Sequence, residues 1–141
     1  MSTARNQPLS TGASFEARVE KIIRSLGLSY LRQVKMGASI LGRRRITDFL
    51  VYDDAGRSLG VECKFQQVPG SAEDKLVHTI TDFDARPVKH ILVFGGEGFS
   101  RNIRGYLLST GKAVELSQLR SYLVFYFSLE QYFGEFGQRP S

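Results

Sequence analysis

The amino-acid sequence predicts an α/β fold in the order helix, three strands, helix, strand, and three observations carry that reading. Apolar residues recur at helical spacing over residues 14–26. They then recur at every second position on both sides of a turn over residues 46–65. A second helical stripe over residues 72–83 leads into a β-rich run bounded by Pro87 and Gly95.

Each element follows from local chemistry. Residues 1–11 are small and polar and predict a mobile arm ahead of one domain spanning residues 12–141. The first helix places Phe15, Val19, Ile22, Ile23 and Leu26 on one stripe, with Ser14 as the expected N-cap and Gly27 as its stop. Residues 30–36 predict a first strand, and the loop after it runs into Arg43, Arg44 and Arg45. Asp54, Ala55 and Gly56 predict a three-residue hairpin turn with Gly56 left-handed, which pairs Asp53 with Arg57. Residues 68–71 break the third strand, and the following helix turns Leu76, Ile80 and Phe83 inward. Residues 89–94 form the fourth strand. A helix near residues 100–108, a short strand near 113–116 and a helix from residue 117 complete the chain.

The hairpin register brings chemistry together. It sets Asp48 opposite Glu62, with Cβ atoms about 5 Å apart. Phe49, Val51, Leu59, Val61, Cys63 and Phe65 all point to the other, buried face. Opposed carboxylates destabilise a sheet unless something neutralises them, and Lys64 brings one positive charge. A divalent cation between two hard oxygens completes the balance. The alternative, a surface ion pair of Lys64 with Asp48 or Glu62, leaves one carboxylate unpaired.

Asp48, the run Glu62, Cys63 and Lys64, and then Gln66 resemble the signature of the PD-(D/E)xK nuclease superfamily, with Thr47 where a proline is expected. Residues 12–27 are similar to that family's opening helix, which carries a further acidic residue. The resemblance covers residues 12–95 and implies a restriction endonuclease-like αβββαβ core, a mixed central sheet flanked by helices. It implies Mg2+ as cofactor, with Mn2+ able to substitute, held by Asp48, Glu62 and the Cys63 backbone carbonyl. Lys64 would position and acidify the attacking water or hold the scissile phosphate. Gln66 would orient Lys64 or contact backbone. Glu16, favoured over Glu20, would contact a second ion or water on the first.

The implied activity is DNA endonuclease cleavage, structure-specific in the manner of a junction resolvase or nickase, because 141 residues show no separate target-recognition region. The rival readings are a restriction-type or homing endonuclease and a non-catalytic DNA-binding or assembly subunit. Nineteen Lys and Arg against fourteen Asp and Glu suit a polyanionic partner. Arg43, Arg44, Arg45, Gln67, Ser71 and Lys75 are the expected DNA contacts. The alternative for these residues is a solvated charge run and a plain N-capped helix.

Composition excludes other classes. With 42% hydrophobic and 23% charged residues the chain has an ordinary globular core, and no apolar run approaches a membrane span or a signal peptide. A cytoplasmic or nucleoid-associated protein is expected. Cys63 is the only cysteine, so no intramolecular disulfide or cysteine metal cluster forms. His78 and His90 lack ligand spacing for zinc. Gly95, Gly96 and Gly98 read as a turn, and no Walker A motif occurs, so no nucleotide cofactor is expected. Tyr122, Phe125, Tyr126, Phe127, Tyr132, Phe133 and Phe136 exceed what one small core needs and predict a homodimer interface, against the alternative that they only close the core.

Overall fold

The computed structural model describes residues 11–38, 41–69 and 73–137. The expected N-terminal arm, apart from Thr11, lies outside the described residues, as do Ser71 and Ala72. Helix α1 (Gly12–Ser25) begins ahead of the sequence-based start, because Thr11 and not Ser14 is its N-cap. Thr11 Oγ1 accepts the Ser14 N–H at 3.0 Å, and Ser14 Oγ accepts the Thr11 N–H at 3.1 Å. This reciprocal pair satisfies two N–H groups that the helix leaves open. Gly27, with φ +73°, then turns the chain out of the helix.

Strands β1 (Ser29–Ala38), β2 (Arg44–Tyr52), β3 (Ser58–Phe65), β4 (His90–Gly95) and β5 (Ala113–Glu115) form one sheet in that order. The first three are antiparallel and the β3–β4 and β4–β5 pairs are parallel, so the sheet is mixed. The hairpin has the expected register: Phe49 faces Val61 and Val51 faces Leu59. Asp53 N–H donates to the Arg57 carbonyl at 3.1 Å, and Gly56 takes φ +87°. Helices α2 (Glu73–Asp82) and α3 (Arg101–Ser109) cover one face, and α4 (Leu116–Tyr126) joins α1 on the other.

Two apolar clusters hold these layers. Phe15, Val19 and Ile23 of α1 pack with Phe49, Val51 and Val61, and Cys63 and Phe65 lie against that cluster as their parity requires. Leu76, Ile80 and Phe83 pack with Leu92 and Phe94 on the opposite face. Strand β4 is therefore apolar on both sides, as a parallel central strand must be. The aromatic C-terminal segment divides. Phe127 is buried, whereas Phe125 is 53% exposed and stacks on Phe133 at a centroid distance of 5.2 Å. Among the described residues no helix is long and apolar enough to cross a membrane.

Candidate active site

The site forms where β2 and β3 part. Their paired ladder runs from Tyr52 and Ser58 to Phe49 and Val61 and stops one residue short of Asp48 and Glu62. The carboxylates thus sit at the opening of the hairpin and not within a continuing ladder. Cys63 N–H, which a continued ladder would send to β2 backbone, donates instead to Asp48 Oδ2 at 2.8 Å. In a parallel pair the residue whose N–H reaches the neighbour also turns its carbonyl there. Gly60 and Gln66 reach β4 backbone in this way, so Cys63, of opposite parity, directs its N–H to Asp48 and turns its carbonyl to the same, β2 side of the strand.

Asp48 Oδ1 accepts from Gln33 Nε2 at 3.3 Å. Gln33 lies in β1 between the pairs Arg32–Phe49 and Val34–Thr47, yet its φ is +53°. A non-glycine residue in that conformation stores strain of order 1–3 kcal/mol, and here it stands beside the carboxylate pair. Thr47 occupies the position where a proline was expected, and the structure gives it a polar role. Its hydroxyl lies 2.6 Å from His90 Nε2, while His90 Nδ1 lies 2.8 Å from the Val88 carbonyl. With Nδ1–H donating to that carbonyl, Nε2 accepts from Thr47. Burial also holds the His90 pKa below its usual value, which keeps the ring neutral at physiological pH. The ring lies where a Cβ on Gly60 would fall, so only glycine fits in β3 at that point.

Glu62 is held by a residue that the sequence reading missed. Arg86, whose side chain is only 7% exposed, places Nη1 3.1 Å from Glu62 Oε2 and Nε 3.2 Å from Asp82 Oδ2. The contact with Glu62 is an ion pair without hydrogen-bond alignment, and Oε2 is buried with no hydrogen-bond partner among the described residues. Burial pushes the Glu62 carboxyl up to about 7; Arg86 opposes the rise and Asp48 adds to it. Arg45 grips Asp82 with Nε at 2.9 Å and Nη2 at 2.8 Å, and these bonds hold Asp82 below the usual carboxylate range. A chain of alternating charge, Arg45, Asp82, Arg86 and Glu62, therefore braces the site from below.

The remaining predicted residues separate into two groups. Lys64 shares a strand face with Glu62 and makes no hydrogen bond or ion pair among the described residues. Gln66 contacts backbone, not Lys64: its Nε2 donates to the Gly98 carbonyl at 3.0 Å, and Gly98 N–H returns a bond to its carbonyl at 2.7 Å. Gly96 and Gly98 are needed because a Cβ on either would strike the backbone of Gln66 or Val68, so the glycine-rich stretch is a turn that anchors β3. Glu16 is bound to Arg32 at 2.8 Å, on the side of the sheet covered by α1, and makes no hydrogen bond to Asp48 or Glu62. Burial, ahead of the charges of Asp48 and Glu16, pushes the Cys63 thiol up, as suits an inert core side chain. Arg45, expected from sequence to contact phosphate, is only 15% exposed and pairs with Asp82. Arg44, Gln67 and Lys75 are exposed.

No group of three or more His, Cys, Asp and Glu side chains converges among the described residues. The oxygen donors at the site are therefore two carboxylates and one backbone carbonyl. Hard oxygen ligands, a buried carboxylate oxygen that is ion-paired to Arg86 but has no hydrogen-bond partner among the described residues, and a surplus of negative charge fit a hard divalent cation.

A family model described as a PD-(D/E)XK nuclease superfamily domain matches residues 7–131. No curated protein sequence matches the chain. Among solved structures it is similar to protein VC1899 from Vibrio cholerae, with a TM-score of 0.53 and 15% identity over 83% of this chain and 33% of that one. A repair endonuclease from Pyrococcus abyssi overlaps with a TM-score of 0.42 and 14% identity over 77% of this chain and 49% of the other. The chain thus spans between a third and a half of those proteins' lengths, and at such identity the likeness to VC1899 shows the fold.

Proposed function

Because the chain belongs to the PD-(D/E)XK nuclease superfamily, we propose that it is a divalent-cation-dependent DNA endonuclease, served by Mg2+ or Mn2+, that selects nucleic acid by structure more than by base sequence. The observation that carries this reading is the buried Glu62 Oε2, which Arg86 touches as an ion pair but which has no aligned hydrogen-bond donor among the described residues, beside Asp48 and on the strand face of Lys64, whose ammonium is unpaired among those residues. Asp48, Glu62 and the Cys63 carbonyl would hold the ion. When bound, such an ion supplies activation of water and neutralisation of charge on the phosphoryl and leaving oxygens.

The chain's own residues do the rest. Cys63 N–H fixes the Asp48 carboxylate, and Arg86 aims Glu62 and favours its ionised form. The Lys64 ammonium donates to a phosphate oxygen or to the attacking water. The Gln66–Gly98 bonds keep the end of β3 in place beneath it. Glu16, tied to Arg32, is at most an outer carboxylate.

The test incubates the full chain, Lys64→Ala and Asp48→Asn with supercoiled plasmid, a four-way junction and single-stranded DNA, each with Mg2+, Mn2+ or EDTA. Metal-dependent cleavage at a branch is expected. Lys64→Ala should bind DNA within a few-fold of wild type and cleave at least ~100-fold more slowly. Cutting of linear duplex at one repeated sequence would restore the restriction-type reading. Binding without cleavage of any substrate would make the chain a non-catalytic DNA-binding subunit.

A further inference from the structure

Between α2 and the segment entering β2 lies a groove of about 630 Å3, lined by Leu41, Arg43, Lys75, His78, Thr79 and Asp82, with Arg86 also in its wall. Lys75, His78, Thr79 and Asp82 follow one helical stripe of α2, while Leu76 and Ile80 on the opposite stripe enter the core. The outer face of α2 is thus presented to the groove as a polar row. Arg86 also lies 3.1 Å from Glu62, so a wall residue of the groove is in direct contact with one of the two carboxylates.

The charge of this wall is positive. Arg43, Lys75 and Arg86 stand against Asp82, which also binds Arg45 from outside the groove wall. The side chains of Lys75 and His78 make no hydrogen bond or ion pair among the described residues, leaving their N–H groups available to an acceptor. Leu41, 78% exposed at the rim, adds an apolar side chain to a groove whose other lining residues are polar or charged. The volume is that of a site for one or two nucleotides, far below what a duplex needs.

We infer that this groove binds the sugar–phosphate backbone of a single DNA strand beside the scissile phosphate, with Lys75 and His78 donating to phosphate oxygens and Leu41 against an unstacked base. The orientation rests on the reading of Asp48 and Glu62 as the nuclease centre. Phosphate contacts fix register and supply affinity, and an apolar contact suits a base that has left its stack. A substrate with an unpaired or easily opened strand next to the cut fills the groove; a continuous duplex does not.

The test measures binding apart from cleavage. Fluorescence anisotropy in EDTA follows a labelled single strand, a forked duplex and a plain duplex on the full chain carrying Asp48→Asn. Lys75→Ala combined with His78→Ala should weaken single-strand and fork binding about tenfold or more, the scale of a lost charge-assisted hydrogen bond. It should also flatten the salt dependence of single-strand affinity by about 0.7. Leu41→Ser should weaken the single strand and fork but leave the plain duplex unchanged.

Lys89→Ala is the charge control, because that ammonium lies over the Tyr126 ring and outside the groove wall. Equal losses on single strand and duplex, unchanged affinities, or the same loss from Lys89→Ala would each overturn the inference. Cleavage by the otherwise wild-type chain with groove variants of normal affinity would sink the groove and leave the nuclease standing. Groove-dependent binding without any cleavage would do the reverse.

Discussion

Replacing Glu62 by Gln isolates the energetic cost of the site. Burial raises the Glu62 carboxyl from 4.5 to about 7. Below pH 4.5 the folded and unfolded chains both hold this proton, and the group costs nothing. Between pH 4.5 and 7 the unfolded chain releases it while the folded chain keeps it, so stability falls as pH rises. Above pH 7 the fold carries an ionised, buried carboxylate. At about 1.4 kcal/mol per pH unit that penalty is roughly 3 kcal/mol. For a chain of this length it corresponds to roughly 10 °C in melting temperature. Gln keeps the shape and removes the charge, and Arg86 retains Asp82 as its partner. In EDTA, Glu62→Gln should melt roughly 10 °C above wild type at pH 8 and level with it at pH 4. Mg2+ or Ca2+ should stabilise wild type at pH 8 and leave Glu62→Gln unmoved. Parallel pH profiles for the two proteins, or equal responses to the cation, would refute the claim that Glu62 is the strained, cation-seeking group.

Two further predictions concern surface and brace. Arg45→Ala should cost about 2 kcal/mol in urea unfolding, because it strips Asp82 of a partly buried bidentate partner, and should leave the salt dependence of DNA binding unchanged. Arg44→Ala should do the opposite, sparing stability while lowering the slope for duplex DNA by about 0.9 if it meets a phosphate. The homodimer expected from sequence is tested at the exposed stack of Phe125 on Phe133: if it forms there, light scattering should give twice the chain mass for wild type and a monomer for Phe125→Ser. A monomeric wild type at micromolar concentration would leave the aromatics as a local cap.

The hairpin was legible because two local rules agree there. Period-two alternation separates Asp48 and Glu62 from Phe49 and Val61, and a glycine suited to positive φ sets the turn length. The brace was not legible, because every partnership in it is tertiary. Arg45 reads as one of three consecutive arginines until Asp82 of α2 is found beside it. Arg86 lies just past a 3-10 turn, where no periodicity marks it, and meets Glu62 only when β3 and the end of α2 are packed together. Thr47 looked like a departure from the expected motif, and its value appears only with the buried His90. Gln33 gave no signal at all, since positive φ at a non-glycine residue is imposed by its surroundings and leaves no mark in composition. The N-terminus of α1 was misplaced for a smaller reason: Thr11 and Ser14 are both good caps, and the reciprocal bonds between them decide which residue stands outside the helix.

The brace also bears on why the proposed site would take a cation although an arginine already touches it. Asp48, Glu62 and Asp82 bring three negative charges, and Arg45 and Arg86 bring two positive ones. Arg45 and Arg86 both bind Asp82, so their charge is drawn toward the carboxylate farther from the hairpin opening. Among the described residues Asp48 is met only by neutral donors, the Cys63 N–H and the Gln33 amide. Lys64 does not cancel the remainder, since it pairs with neither carboxylate. The uncompensated charge therefore collects between Asp48 and Glu62, and the Cys63 carbonyl turns to the β2 side of its strand. A divalent ion there would turn a local charge of minus one into plus one, and the same three ligands that repel DNA without it would attract a phosphate with it. Metal and nucleic acid should then bind cooperatively. In Asp48→Asn the ion-free site is already neutral, so DNA affinity in EDTA should rise above wild type while the gain on adding Ca2+ disappears; an unchanged Ca2+ gain in that variant would place the coupling elsewhere.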